Sequence, residues 1–244
     1  MSTAHAEPAL EQAVGIAARR ILTLGLVAGY VGALGFVDLH GIYAAAMTGN
    51  TTQLGLDVVR GQWPRLAVVG ATLGTFFCGG LLSSFIRRRL AHPAFELLIM
   101  AAVLLAAQAA RLFAPDRSAI EMPLLAVALA MQGETISRFA GVPIQTIVVT
   151  SNLLKFADAV VGRYLPFQRG RARPGAGEPR PTRAEVVLPG CAWLAYVVGA
   201  ASGVWADGRL VLPLLAPVIL LAVATLDLRL AGAADNERRA CGDE

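Results

Sequence analysis

Long apolar stretches alternate with short polar ones along this chain. They fall at about residues 21–37, 63–86, 94–113, 119–138, 184–206 and 210–230, each close to the ~20 residues that a helix needs to cross a hydrocarbon core of ~30 Å. The pattern predicts an all-α, polytopic membrane protein with six transmembrane helices. The first stretch ends awkwardly. From Ile21 to Met47 the chain stays mostly apolar for 27 residues, which as one helix would be about 40 Å long and would overshoot the core. A break is therefore expected at Asp38, His40 and Gly41, which suit a lipid-facing helix poorly. A removable leader would have to contain Asp38 and His40 and run well past the usual ~30 residues, so this stretch is read as a retained span.

The polar run after the break recurs. "GIYAAAMTGNTTQLGLDVVR", 41–60, aligns with "PIQTIVVTSNLLKFADAVVG", 143–162, at a constant spacing of 102 residues that sets Thr48 on Thr150 and Asn50 on Asn152. Each half then reads as a helix, a break, a short apolar run, Thr-x-Asn, a short helix and two further spans. Three spans is an odd number, so the second half must be upside down relative to the first, giving two inverted three-helix repeats. Repeat one covers 21–113 and repeat two 119–230, with 165–183 an inserted loop. Together they form a single membrane domain over 21–230, between an N-terminal segment 1–20 and a tail 231–244.

Thr and Asn oxygens suit the first turn of a helix, where backbone N–H groups lack partners. A helix over 51–60 would be about 15 Å long, half a bilayer. If two such half-helices enter from opposite faces, their N-termini meet near the midplane and favour a polar or anionic ligand. The alternative is that each lies along the interface, with Thr and Asn serving only as caps. Thr48, Asn50, Thr150 and Asn152 are the resulting candidates for solute binding. Glu134 is the fifth, because the fourth stretch holds Gln132, Glu134, Thr135, Ser137 and Arg138, and an intramembrane carboxyl can carry a coupling proton. The competing reading of Glu134 is an i,i+4 pair with Arg138. Elsewhere, Gln108 and Arg111 read as an interface boundary, Glu96 as a partner for Arg87 to Arg89, and Asp227 with Arg229 as the close of the sixth span. Gly25 and Gly29, Gly70 and Gly74, and Gly199 and Gly203 have the small-xxx-small spacing of close helix packing, within one protomer or, alternatively, across a homodimer.

The segments "GYVGALGFVDLHGIYAAAMTGNTTQLG", 29–55, and "MQGETISRFAGVPIQTIVVTSNL", 131–153, resemble the two signatures of the YoaK-type bacterial integral membrane proteins, a domain-of-unknown-function family. The resemblance spans nearly the whole chain and implies a multi-pass protein of the bacterial inner (plasma) membrane. The family usually has an acid where this chain has Gly32, and Thr-Gly where it has Thr150-Ser151. Gly32 and Glu134 are also 102 residues apart, so the second half keeps a carboxylate that the first lacks.

Composition agrees with a membrane protein. Only 16% of residues are charged, against about 25% in soluble domains, and the mean hydropathy is +0.60. The net charge of +4 has a topological origin. Sixteen of the 21 basic residues fall on segments that share one side, which predicts both termini in the cytoplasm. The basic residues thus require no nucleic acid, and no aromatic-interleaved basic face is present. "RGRARPGAGEPRPTR", 169–183, has nothing to pack and is expected to be a disordered cytoplasmic loop. Cys78, Cys191 and Cys241 are isolated, and HExxH, Walker and GxSxG patterns are missing, so no enzyme, metal or cofactor is expected. The functional expectation is a bilayer-embedded secondary transporter or permease of a small polar or anionic solute. The alternative is a non-transporting scaffold that binds a protein partner through its basic loop.

Overall fold

The computed structural model describes residues 6–38, 41–89, 93–135, 138–139, 141–165 and 180–242. Among these are eight helices: α1 (Ala6–Asp38), α2 (Met47–Arg60), α3 (Trp63–Arg89), α4 (Pro93–Phe113), α5 (Arg117–Thr135), α6 (Val149–Tyr164), α7 (Arg183–Ala206) and α8 (Leu215–Gly242). One two-residue hairpin pairs β1 (Arg138–Phe139) with β2 (Val142–Pro143). Most of the loop expected to be disordered, together with His40 and Ser137, lies outside the described residues.

Helices α1, α3, α4 and α7 are long and apolar enough to cross a membrane, and the chain is a membrane-embedded helical protein. Helix α5 is more polar, carrying Glu121, Gln132 and Glu134 around Pro123. It packs on α1, α3 and α4, so its neighbours are protein and it needs no apolar face all round. The tail expected from 231 onward continues α8 as helix to Gly242.

Short connections reverse the chain between long helices. Gly61 supplies a left-handed turn (φ 64°) after α2, and Gly208 (φ 70°) does so after α7. Thr182 and Glu185 form a reciprocal capping box at the start of α7. The bundle therefore has two ends. Asp38, Arg111 and Asp207 mark one, and Arg19, Arg87 and Asp227 mark the other.

Contacts divide the helices into two groups. Helix α7 packs along α1 and against α6, and α8 touches α1; helix α3 packs on α5 and α2, and α4 packs on α5. The groups meet where α4 crosses α8 and α1 crosses α5. In the first group the glycines set the spacing. A Cβ on Gly29 would collide with the Tyr196 carbonyl, on Gly199 with the Leu26 carbonyl and on Gly203 with the Tyr30 carbonyl, while one on Gly25 would sit 2.9 Å from Ala195 Cβ. These four glycines thus face one another inside one protomer, which permits backbone contact between α1 and α7. On α3 the close approach uses Gly79, whose Cβ would lie 3.0 Å from Val127 Cα of α5. Gly70 and Gly74 make no such approach: Gly70 sits beside Leu54 and Gly74 faces open space. The buried positions of α3, Val69, Thr72, Gly79 and Ser83, each lie 120 residues before a buried position of α7, namely Pro189, Ala192, Gly199 and Gly203.

Gly29→Ala and Gly199→Ala are each expected to destabilise by about 1–3 kcal/mol through overpacking, read as a lower melting temperature in detergent. Gly74→Ala should leave the melt unchanged. Equal melting of all three would contradict the backbone contact between α1 and α7.

Candidate functional site

Beyond α1 the chain turns at Gly41, whose left-handed backbone (φ 88°) sends its N–H back to the Phe36 carbonyl at 3.0 Å. The Tyr43 ring then lies 4.5 Å from that of Phe36. A Cβ at position 49 would be 2.9 Å from the Tyr43 ring, so glycine fits beneath it. Asn50 is fully buried and ties this turn down: Tyr43 N–H donates to Asn50 Oδ1 at 3.0 Å, and Asn50 Nδ2 donates to the Tyr43 carbonyl at 2.7 Å. Gln53 Nε2 donates to the Gly41 carbonyl at 2.8 Å. Helix α2 then runs back beside the start of α3, with Leu54 against Gly70 and Asp57 3.7 Å from Arg65.

Two of these three bonds recur before α6; the third does not, and Asn152 Oδ1 is buried without a partner among the described residues. Asn152, 1% exposed, donates from Nδ2 to the Gln145 carbonyl at 2.8 Å. Lys155 Nζ donates to the Pro143 carbonyl at 2.7 Å. Phe156 lies against Gly190 of α7, as Leu54 lies against Gly70 of α3. Donor and acceptor residues in the two sets are 102 positions apart: Asn50 and Asn152, Tyr43 and Gln145, Gln53 and Lys155, Gly41 and Pro143.

These contacts revise the expected role of the motif. Both short helices begin earlier than expected, and Ala46 and Val148 stand at their N-caps without a side-chain hydrogen bond. Asn50 and Asn152 lie one turn inside and reach back to the incoming chain, so they clamp a turn rather than cap a helix. Thr48 and Thr150 are on the protein surface. Helix α2 packs on α3 and α6 on α7, and no contact joins α2 to α6 among the described residues. The two N-termini therefore do not meet.

Glu134 is 45% exposed at its side chain and pairs with Arg87 Nη2 at 3.2 Å. The expected pair with Arg138 does not form along one helix, because α5 ends at Thr135 and Arg138 begins β1. The buried polar residue of that stretch is Gln132, whose Nε2 donates to the Leu24 carbonyl of α1 at 2.6 Å and to Thr146 Oγ1 at 2.9 Å. The five sequence-predicted residues thus do not line one cavity.

At the Asp38 end the structure assembles a cluster that the linear pattern missed. Arg111, only 9% exposed at its side chain, bonds Asp38, Glu121 at 2.8 Å and Asp207 at 2.7 Å. Arg117 pairs with Asp38 at 2.7 Å and with Glu121 at 2.6 Å. Arg111, in the last turn of α4, is thus tied to three carboxylates at that end of the bundle. Nearby Gln108 is buried, and its Oε1 accepts the Leu214 N–H at 2.9 Å. The only sequence signal was that each of the four apolar stretches ends in a charge on the same side. A cleft of about 460 Å³ opens beside the cluster, lined by Asp38, Arg111, Arg117, Asp207 and Arg209. Within the cluster two guanidinium groups face three carboxylates, and Arg209 adds a third guanidinium to the cleft wall. Chemically it is a latch: Asp38 and Asp207 belong to the α1 and α7 group, whereas Arg111, Arg117 and Glu121 belong to the α4 and α5 group. At the other end, Arg19 and Arg20 hold Asp227, and Arg87 holds Glu134. Those pairs stay within their own groups; among the described residues the groups are joined near that end by the Gln132–Leu24 bond and by the Arg229 guanidinium over the Phe95 ring, 5.4 Å away.

Arg111→Met would leave Asp207 without its ion pair and Arg117 alone to hold Asp38 and Glu121, both largely withdrawn from water. A loss of about 3–5 kcal/mol is expected, measured by thermal melting. Asp207→Asn, at the more exposed rim, should cost less. An unchanged melt for Arg111→Met would remove the latch.

Comparison with known proteins gives one match. Residues 21–226 fit the model of a family described as "Protein of unknown function (DUF1275)", while no curated protein and no solved structure matches the chain. The family match takes in both clamped turns, the Asp38–Arg111 cluster, the Arg87–Glu134 pair and six of the eight helices in full, and on that span the chain belongs to the DUF1275 family.

Proposed function

We propose that the protein is a secondary transporter or permease of a small polar or anionic solute, built from six spans as two inverted three-helix repeats. Repeat one is α1 to α4 and repeat two α5 to α8, with both termini in the cytoplasm and the Asp38 end outside. The observation that carries this reading is the clamped turn, made twice by the same two bonds at the same spacing. The 120-residue spacing between buried positions of α3 and α7 supports it, since the inserted loop adds 18 residues to the second half.

Helix contacts fit the same symmetry. Exchanging the halves turns α1 on α7 into α5 on α3, α2 on α3 into α6 on α7, and α4 on α5 into α8 on α1, and each of these contacts exists. The contacts of α4 with α8 and of α1 with α5 map onto themselves, as contacts along a two-fold axis must. Repeats of this kind supply the two moving bodies of alternating access. Here the bodies are α1 with α6, α7 and α8, and α5 with α2, α3 and α4. The latch joins them at one end, while the ion pairs at the other leave them free to separate.

Helix α2 supports a re-entrant half-helix. Leu54 is already level with Gly70, seven residues into α3, and Met47 lies about 10 Å further along. Irregular backbone at that depth fits a chain lining a polar route. Thr48 and Thr150, in the first turns of the half-helices, are the residues proposed to face the solute, with Asn50 and Asn152 holding those turns in place.

Metabolite profiles of deletion and overexpressing strains would identify solutes, and uptake into proteoliposomes would test them. Asn50→Ala and Asn152→Ala are each expected to reduce uptake at least tenfold while protein levels hold. Wild-type uptake in both variants, or no solute that responds to the protein, would overturn the reading.

A further inference from the structure

Glu96 stands one turn into α4 with 1% of its surface exposed. Neither carboxyl oxygen has a hydrogen-bond partner among the described residues. Thr135 of α5 is its neighbour, but the Thr135 hydroxyl donates to the Met131 carbonyl at 2.7 Å. The charged groups around it are committed elsewhere. On α3, Arg87 bonds the Glu134 carboxylate and main-chain carbonyl, Arg88 is exposed, and Arg89 lies over the Phe85 ring. On α5, Glu134 brings a second negative charge. On α8, Asp227 is held by Arg19 and Arg20, and Arg229 sits over Phe95.

An ionised carboxylate sealed from water without a cation or donor is costly, and the neutral acid is much less so. The first-turn position on α4 favours negative charge only weakly against that cost. We infer that Glu96 is a proton-binding site: it holds a proton while the Arg87 end is packed and releases it when that end opens to water. Opening supplies what ionisation lacks. Water reaches the carboxyl, the α4 dipole favours the anion, and Arg87 can divide its charge between Glu96 and Glu134. Binding and release couple one proton to movement of the α3, α4 and α5 ends. Glu96 thus takes the coupling role that the sequence suggested for Glu134. The coupling of that proton to solute flux rests on the transport reading; the protonation site does not.

Dicyclohexylcarbodiimide tests it directly, since it modifies protonated carboxyls in apolar surroundings. Purified protein in vesicles without solute would be labelled across a pH series, and the adduct located by mass spectrometry. Label is expected on Glu96 at neutral pH, at least tenfold above Glu134, falling as pH rises and missing from Glu96→Gln. Arg87→Met should extend labelling to higher pH, because the cation that stabilises the released state is gone. An unlabelled Glu96, or labelling that is flat with pH, overturns the proton site. Glu96 labelling in a protein that moves no solute overturns the transport reading alone. Uptake without Glu96 labelling overturns the proton site alone.

Discussion

A backbone carbonyl that leaves its helix away from water must find a partner within the protein. The chain meets this constraint twice. After α1 and again before α6 it becomes irregular, and each time a buried asparagine binds the turn seven residues upstream while the side chain three residues later binds the carbonyl twelve upstream. The acceptor bonds keep the turns folded back, and the direction of α2 and α6 follows from them. Without those bonds, nothing would fix where the short helices begin or which way they run beside α3 and α7.

Once the turns are set, the long helices have little freedom. Helix α7 lies on α1 with backbone against backbone, because four glycines remove the side chains that would hold them apart. Helix α3 approaches α5 through Gly79 in the corresponding place. Each contact joins helices from different halves of the chain, so the halves are interleaved. In the proposed transporter the movement would run between the two mixed groups, along the seam of α4 with α8 and α1 with α5. The charge distribution is uneven across that seam. Four charged side chains pair across it at the Asp38 end, Asp38 and Asp207 with Arg111 and Arg117, and among the described residues the ion pairs at the opposite end do not cross it.

Local features were legible in the sequence and distant pairings were not. The hydrophobic windows located the long helices, and the break after Asp38 was visible in its polar residues. The 102-residue spacing picked out both clamps, since their donors and acceptors lie within one short segment each. It misjudged their chemistry, because Asn at a helix start usually caps, whereas here the helix begins four residues earlier and Asn50 points backward. The latch was invisible because Asp38, Arg111, Glu121 and Asp207 come from four stretches, and each alone resembles an ordinary interface charge. Glu134 drew attention as an acid in an apolar run, but Arg87 reaches it from α3 at the surface. Glu96 was assigned the arginines that the structure gives to other partners.

The central claim is that the two clamped helices belong to halves that face opposite ways. Single cysteines at Gly61 and Leu165, the ends of α2 and α6, test it most directly when probed with a membrane-impermeant thiol reagent in a background lacking the native cysteines. Labelling of position 61 from outside intact cells, with position 165 labelled only after the inner face is exposed, is the predicted result. Labelling of both positions from one side would contradict the inverted arrangement.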